Sequence, residues 1–247
     1  MIFLCGRFAR FSPAHVFRML FQLNEFLELP PQYNIAPGQD IYAVRGIVVR
    51  DEQTRTAATT NYQKEVVPFK WGLIPFWAKD PTIGNRMINS RSETVSEKPS
   101  FKAAFKNHRC LIPADGFYEW QKKSDGPKQP YFIRMKEEKP LALAGIWDRW
   151  KSPEGQTVES CSILTTEPNE VVKPIHKRMP VIIDQKDFNL WLNPGKKEIE
   201  EIKPLLKPYD AKKMEAYPVS LYVNKPENKG EQCITKIEEK FKQQKLF

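Results

Sequence analysis

The chain has 247 residues, 40% apolar, 12% aromatic and 28% charged, enough to bury a sizeable core as one large domain or two small ones. No run approaches the roughly 18 apolar residues of a membrane-spanning helix, and the lead MIFL lacks the basic stretch of a secretory signal, so a cytoplasmic globular protein without membrane contacts is expected. With 39 lysines and arginines against 30 acidic residues the formal charge is +9, which favours an anionic partner such as nucleic acid, although many lysines fall in solvated stretches such as QKKSDGPK and NPGKKEIEEIKPLLK.

Ser12-Pro13, followed by apolar Val16, Phe17, Leu20 and Phe21, predicts a helix capped by Ser12, with Pro13 at its first position and Pro30-Pro31 ending it. Short runs rich in β-branched and aromatic residues then predict strands at 41–50, 65–77, 108–120, 130–137, 140–150 and 159–167, separated by turn sequences such as KSDGPKQ and KSPEG. Helical pieces are expected at 99–107, 169–175, 186–192 and 196–206. The pattern predicts an α+β single domain over residues 1–230, its mostly antiparallel strands curling into a barrel or sandwich flanked by helices. A charged tail, 231–247, is expected to be a mobile extension or a loosely docked helix.

Cys5, Cys110, Cys161 and Cys233 are widely spaced, and His15, His108 and His176 add no zinc spacing, so reduced thiols, no metal and no cofactor are expected. Lipidation of Cys5 is not expected either, because Leu4 stands where a lipoprotein signal requires a small residue.

Four stretches combine reactive groups with backbone punctuation: CGR at 5–7, NSRSET at 89–94, GFYEW at 116–120 and HKRMP at 176–180. Taken singly, each has an ordinary explanation: Asn89 caps a turn, Glu119 faces solvent from a strand, His176 is a satisfied polar group and Cys5 a small buried hydrophobe. In order with CGRF, YNIAPGQ, WGLIPFWAK, INSRSET, CLIPADGFYEW, ILTTEPN, HKRMPVII and VSLYVNKPEN, they resemble the SOS-response-associated peptidase (SRAP) family over nearly the whole chain.

The resemblance implies an α+β single domain with a mostly antiparallel, barrel-like β core flanked by helices, and a basic cleft that binds single-stranded DNA and attaches covalently to abasic sites. It makes Cys5 the nucleophile, Asn89 its positioner, Glu119 an acid–base group and His176 a proton carrier. It also places Arg7, Arg91 and Arg178 on phosphates and Pro37, Trp77 and Thr165 along the strand. The chemistry has its own logic. An open-chain abasic site is an aldehyde, and an N-terminal cysteine is a 1,2-aminothiol, whose amine forms an imine and whose sulfur closes a thiazolidine ring. An α-amine titrates near pH 7.7–8.0, so a neutral fraction exists without special tuning.

Ile2, Phe3 and Leu4 depart from the family's pattern, in which cysteine directly follows the initiator methionine. Three readings stay open: translation starts at Leu4, the protein cuts itself before Cys5, or it binds DNA without crosslinking. A cysteine peptidase built from Cys5, His176 and Asn89, and a non-covalent single-strand binder, are the rival functions. The final QQKLF places Gln243, Leu246 and Phe247 in a pattern resembling the motif by which bacterial repair proteins dock on the sliding clamp, the alternative being a chance match.

Overall fold

The computed structural model describes residues 5–49, 62–195 and 198–238. Among them the strands are β1 (Phe8–Arg10), β2 (Gln32–Ile35), β3 (Asp40–Val48), β4 (Tyr62–Trp71), β5 (Asn89–Arg91), β6 (Arg109–Ala114), β7 (Gly116–Gln121), β8 (Gln129–Met135), β9 (Leu141–Lys151), β10 (Thr157–Thr166), β11 (Met179–Pro180) and β12 (Met214–Pro218). The helices are α1 (Ala14–Phe21), α2 (Pro99–Asn107), α3 (Phe188–Leu192) and α4 (Ile199–Ile202).

Strands β4, β3, β6, β9 and β10 pair in that order, and β10 returns to β4 as a parallel neighbour, closing a five-stranded mixed barrel. A second sheet runs β12-β8-β7-β1-β2. The fold is thus a single α+β domain with a barrel core. All six residues of β6 are buried. Its period-two alternation sends Cys110, Ile112 and Ala114 into one apolar cluster with Trp71, Phe69 and Leu143, and Leu111 into another with Phe17, Phe105, Ile146 and Trp191.

The chain passes from barrel to second sheet without a loop, bending only at Asp115. That carboxylate accepts hydrogen bonds from the backbone N–H of Phe11 (2.5 Å) and Ser12 (2.9 Å) and from the Ser12 hydroxyl, tying β1 to the bend. The strand expected over 108–120 is therefore two strands, and Ser12, bonded to Asp115, does not cap α1, whose N-cap is Pro13. Other expectations shift for equally local reasons. Helix α1 stops at Phe21, with Gln22 left-handed (φ 54°), well before Pro30-Pro31. The strand expected over 65–77 ends at Trp71 because Gly72 turns the chain at φ 135°. Residues 169–175 form turns rather than a helix, since Asn169 Oδ1 takes the Val172 N–H and Pro174 has no N–H to offer. Helix 196–206 shrinks to α4 and a 3-10 turn, with residues 196–197 outside the described chain.

The tail expected from Glu231 begins instead as packed structure. Cys233 is buried with Ala9, Tyr118, Phe132, Val219 and Val223, and Ile237 N–H donates to Pro218 O (3.0 Å). Gln243, Leu246 and Phe247 lie outside the described residues.

Beside the bend, Gly116 leaves no room for a side chain: a Cβ there would meet Phe132 Cζ at 2.3 Å and Ile133 O at 2.7 Å. Phe132 is itself buried, so the neighbour cannot swing aside. Gly116→Ala is expected to cost on the order of 1–3 kcal/mol in urea unfolding, and a variant as stable as wild type would show that β8 can shift away from β7 freely.

Candidate active site

The pairing just described gathers four sequence stretches at one end of the barrel. Strand β1 lies antiparallel to β7, with Phe8 opposite Phe117 and the Tyr118 N–H donating to Arg7 O (2.9 Å), so the chain before β1 runs alongside Glu119. Past the end of β4, β10 takes β5 as its parallel neighbour, with Ile163 opposite Asn89 and Thr165 opposite Arg91. On β10, Thr165 and Thr166 also pair with β11, which delivers residues 176–178.

Cys5 and Glu119 meet at the centre, 4% and 2% exposed. The Cys5 backbone N–H donates to Glu119 Oε1 (2.9 Å), while Glu119 Oε2 stands 3.4 Å from His176 Nδ1. Asn89 Nδ2 donates to Cys5 O (3.4 Å). Cys5 has φ 45°, a left-handed conformation costing about 1–2 kcal/mol in a residue with a Cβ. Its contacts with Glu119 and Asn89 hold it there.

Burial pushes the Glu119 carboxyl up to about 8, against the hydrogen bonds from Cys5. The Cys5 thiol is driven well above its ordinary range by burial and by its bond to Glu119. Burial lowers His176, with Lys128 and Arg178 adding to the effect. At neutral pH the site therefore holds a largely protonated acid, a thiol and a neutral imidazole.

Beside this group opens a cavity of about 490 Å³, lined among others by Arg7, Pro37, Glu119, Trp120, Lys128 and His176. Arg7 Nη1 donates to Asn34 Oδ1 (2.6 Å) and Val223 O (2.9 Å), and its guanidinium lies 5.7 Å over the Trp120 ring. Arg178 makes a two-pronged ion pair with Glu93 (2.6 and 2.9 Å) and donates to Thr165 O (2.6 Å). Thr165 itself is 1% exposed, its hydroxyl donating to Ser90 O (3.4 Å). Arg91 is exposed on β5. Trp77 is 48% exposed beside Phe76 at 59%, on the surface and apart from the cavity wall.

Sequence reasoning passed over Asn34, Glu93 and Lys128. Asn34, inside the quoted YNIAPGQ, is buried and its Nδ2 donates to the carbonyls of Val223, Lys225 and Asn228, strapping the 223–228 segment beneath Arg7. Glu93 stands in NSRSET and Lys128 at the end of KKSDGPK. Neither position carries a local signal, because each acquires meaning only from what the fold brings beside it. Among the described residues no cluster of His, Cys, Asp and Glu could hold a metal, and no helix is long and apolar enough to cross a membrane.

Residues 4–226 match the sequence model of the family described as SOS response associated peptidase (SRAP). The abasic site processing protein YoqW of Bacillus subtilis is 42% identical over 234 residues, covering 94% of this chain and 99% of that one. The abasic site processing protein HMCES of Rattus norvegicus is 34% identical over 199 residues, 68% of this chain and 56% of its own. A crystal structure of a Bacteroides thetaiotaomicron protein superposes with a TM-score of 0.78 at 30% identity, covering 95% of this chain and all of that one.

The raised Glu119 has a consequence for stability. Below its ordinary value of 4.5 the carboxyl is protonated whether folded or not; between 4.5 and about 8 only the unfolded chain ionises, so rising pH favours unfolding. Glu119→Gln cannot ionise, and is expected to gain on wild type by on the order of 1–3 kcal/mol between pH 4 and pH 8. Urea unfolding at the two pH values measures it; a difference that does not change with pH would mean that Glu119 titrates as an ordinary carboxylate.

Proposed function

Because the chain belongs to the SOS response associated peptidase (SRAP) family, we propose that it binds single-stranded DNA and joins covalently to abasic sites through Cys5 acting as a free N-terminal aminothiol. The observation that carries this reading is the 2.9 Å contact between Cys5 N and Glu119 Oε1, which puts an acid on the nitrogen of Cys5. The relatives named as abasic site processing proteins support the substrate.

In the reaction, the Cys5 amine adds to C1′ of the ring-opened sugar. Glu119 then protonates the carbinolamine hydroxyl, which leaves as water and gives the imine. The Cys5 sulfur adds to the imine carbon while its proton passes to the nitrogen, closing the thiazolidine. Aldehyde and aminothiol thus become ring and water, with no oxidant needed. His176, 3.4 Å from Glu119 and held neutral by burial, takes and returns protons as the sugar ring opens. Asn89 fixes the Cys5 carbonyl. Arg7, Arg91 and Arg178 address phosphates, Pro37 and Trp77 line the strand path, and Thr165 orients Arg178 through its carbonyl.

The free amine requires loss of residues 1–4. Self-cleavage accounts for it with the same acid: water adds to the Leu4 carbonyl and Glu119 protonates the departing Cys5 nitrogen. Start of translation at Leu4 followed by trimming gives the same product. The rival cysteine peptidase reading is disfavoured by the thiol itself, which is pushed up by burial and bonded to Glu119, the opposite of an activated thiolate. A sliding-clamp contact through Gln243, Leu246 and Phe247 is a separate proposal resting on the QQKLF sequence alone. Titrating the clamp with a Leu246→Ala, Phe247→Ala variant tests it.

Wild type mixed with abasic single-stranded DNA should give a band that survives a denaturing gel, and intact mass should show the reacting species starting at Cys5. Cys5→Ala should give no such band, and Glu119→Gln should slow its formation by about 10²–10⁴-fold. Full crosslinking by a chain that retains residues 1–4 would overturn the aminothiol mechanism, and binding without any covalent band would leave only a non-covalent binder.

A further inference from the structure

Three cations stand at the site, and they differ in what they already hold. Arg7 has Nη1 engaged by Asn34 and Val223, and Arg178 has Nη1 and Nη2 engaged by Glu93 and Thr165. Lys128 lines the same cavity as Glu119 and His176, and among the described residues its ammonium takes part in no ion pair or hydrogen bond. Its place is set by the β7–β8 hairpin: Gln121 pairs with Gln129, so the loop returns at Lys128 to the mouth of the cavity, while Lys122 and Lys123 on the outgoing limb do not line it. A lysine in a turn is ordinarily just solvated. One with three free donors at the rim of a cavity, beside arginines already committed to protein partners, is a vacant anion site.

We propose that Lys128 is a strand-binding residue of this site, taking the phosphodiester next to the reacting abasic sugar. The proposal rests on the crosslinking function above for the identity of the strand. It names a contact from an ammonium that has no ion-pair or hydrogen-bond partner among the described residues, whereas Arg7 Nη1 and both terminal nitrogens of Arg178 are already engaged.

A second consequence follows from position. The charge of Lys128 favours the ionised form of Glu119 and disfavours protonated His176. Cys5 N–H and the Cys5 thiol face Glu119 from the N-terminal segment, and Glu119 and Arg178 face His176 from β7 and from its own loop. When a phosphate neutralises Lys128, that field on Glu119 is cancelled and the carboxyl holds its proton more firmly. The strand therefore keeps Glu119 protonated for the step that needs an acid, which couples binding to chemistry through a single ammonium.

The test uses single-stranded DNA carrying a tetrahydrofuran abasic analogue, which cannot crosslink, and fluorescence anisotropy over a salt series. Lys128→Ala and Lys128→Gln should bind less tightly and lower the log–log salt slope by about 0.7, the loss of one phosphate contact on a single strand. Lys128→Arg should restore both, and Lys123→Ala, on the same hairpin but outside the cavity, should match wild type. With an authentic abasic strand, the pH above which crosslinking falls as Glu119 ionises should move upward in Lys128→Ala. Wild-type affinity and slope in Lys128→Ala, or an equal loss in Lys123→Ala, overturns the proposal. If wild type binds the analogue but forms no covalent product with the authentic strand, the crosslinking function falls while the salt slopes still decide Lys128.

Discussion

A carboxyl group with almost no contact with water organises this molecule. Burying Glu119 is unfavourable as an anion, and the protein accommodates it by letting it keep a proton to about pH 8 and by surrounding it with partners able to share one. Those partners come from distant parts of the chain: Cys5 from the N-terminal segment, His176 from the loop before β11, and Asn89 one contact further out on β5. Each is delivered by a strand pairing, so the geometry of the site is as rigid as the sheets that make it. The bend at Asp115 matters for the same reason. It fixes β7 against β1, and with it the separation of Glu119 from the Cys5 nitrogen.

Much of this was legible in the residues. Runs of β-branched and aromatic residues between turn sequences announced the strands, and the closed barrel follows from them once β10 finds β4 as a parallel neighbour. The four stretches that carry Cys5, Asn89, Glu119 and His176 do converge. Misreadings have two causes, side chains recruited by tertiary partners that local patterns cannot reveal and local turns that end or replace an element. Ser12 looks like a helix cap and serves Asp115 instead; Asn169 looks helical and bonds its own turn. Cys233 looked like part of a loose tail and is instead one of the residues that seal the second sheet. Short strands such as β5 and β11, three and two residues long, have too little sequence to show a period at all.

Charge was the least informative quantity at the level of composition and becomes informative in place. A net +9 says only that anions are welcome. In the fold, Arg178 is locked to Glu93 and Thr165, and Arg7 to Asn34 and the 223–228 strap, so two cations near the cavity are held in fixed orientation. Such preorganisation lowers the ordering cost of binding but uses up donors. For the proposed strand binding, the exposed Arg91, Trp77 and Phe76 would supply the complementary, adaptable surface, where stacking on a base needs only an accessible ring face.

In the proposed reaction, freeing the Cys5 nitrogen would change the central contact from amide and acid to amine and acid, and burial would then select among its protonation states. An α-amine and this carboxyl titrate in the same range, near 8. In a site this dry, a lone ammonium and a lone carboxylate are both disfavoured, so the pair tends to hold a constant number of protons and titrates as a unit. That leaves two arrangements of equal charge, ammonium with carboxylate and amine with carboxylic acid. The second would contain the nucleophile and the acid of the proposed reaction, at the place where the Cys5 amide nitrogen stands 2.9 Å from Glu119 Oε1. The thiol, pushed high by the same burial, favours a proposed order in which it keeps its proton through imine formation and acts after the nitrogen. The proposed order of bond formation, nitrogen first and sulfur second, thus rests on how deeply the fold buries Cys5 and Glu119.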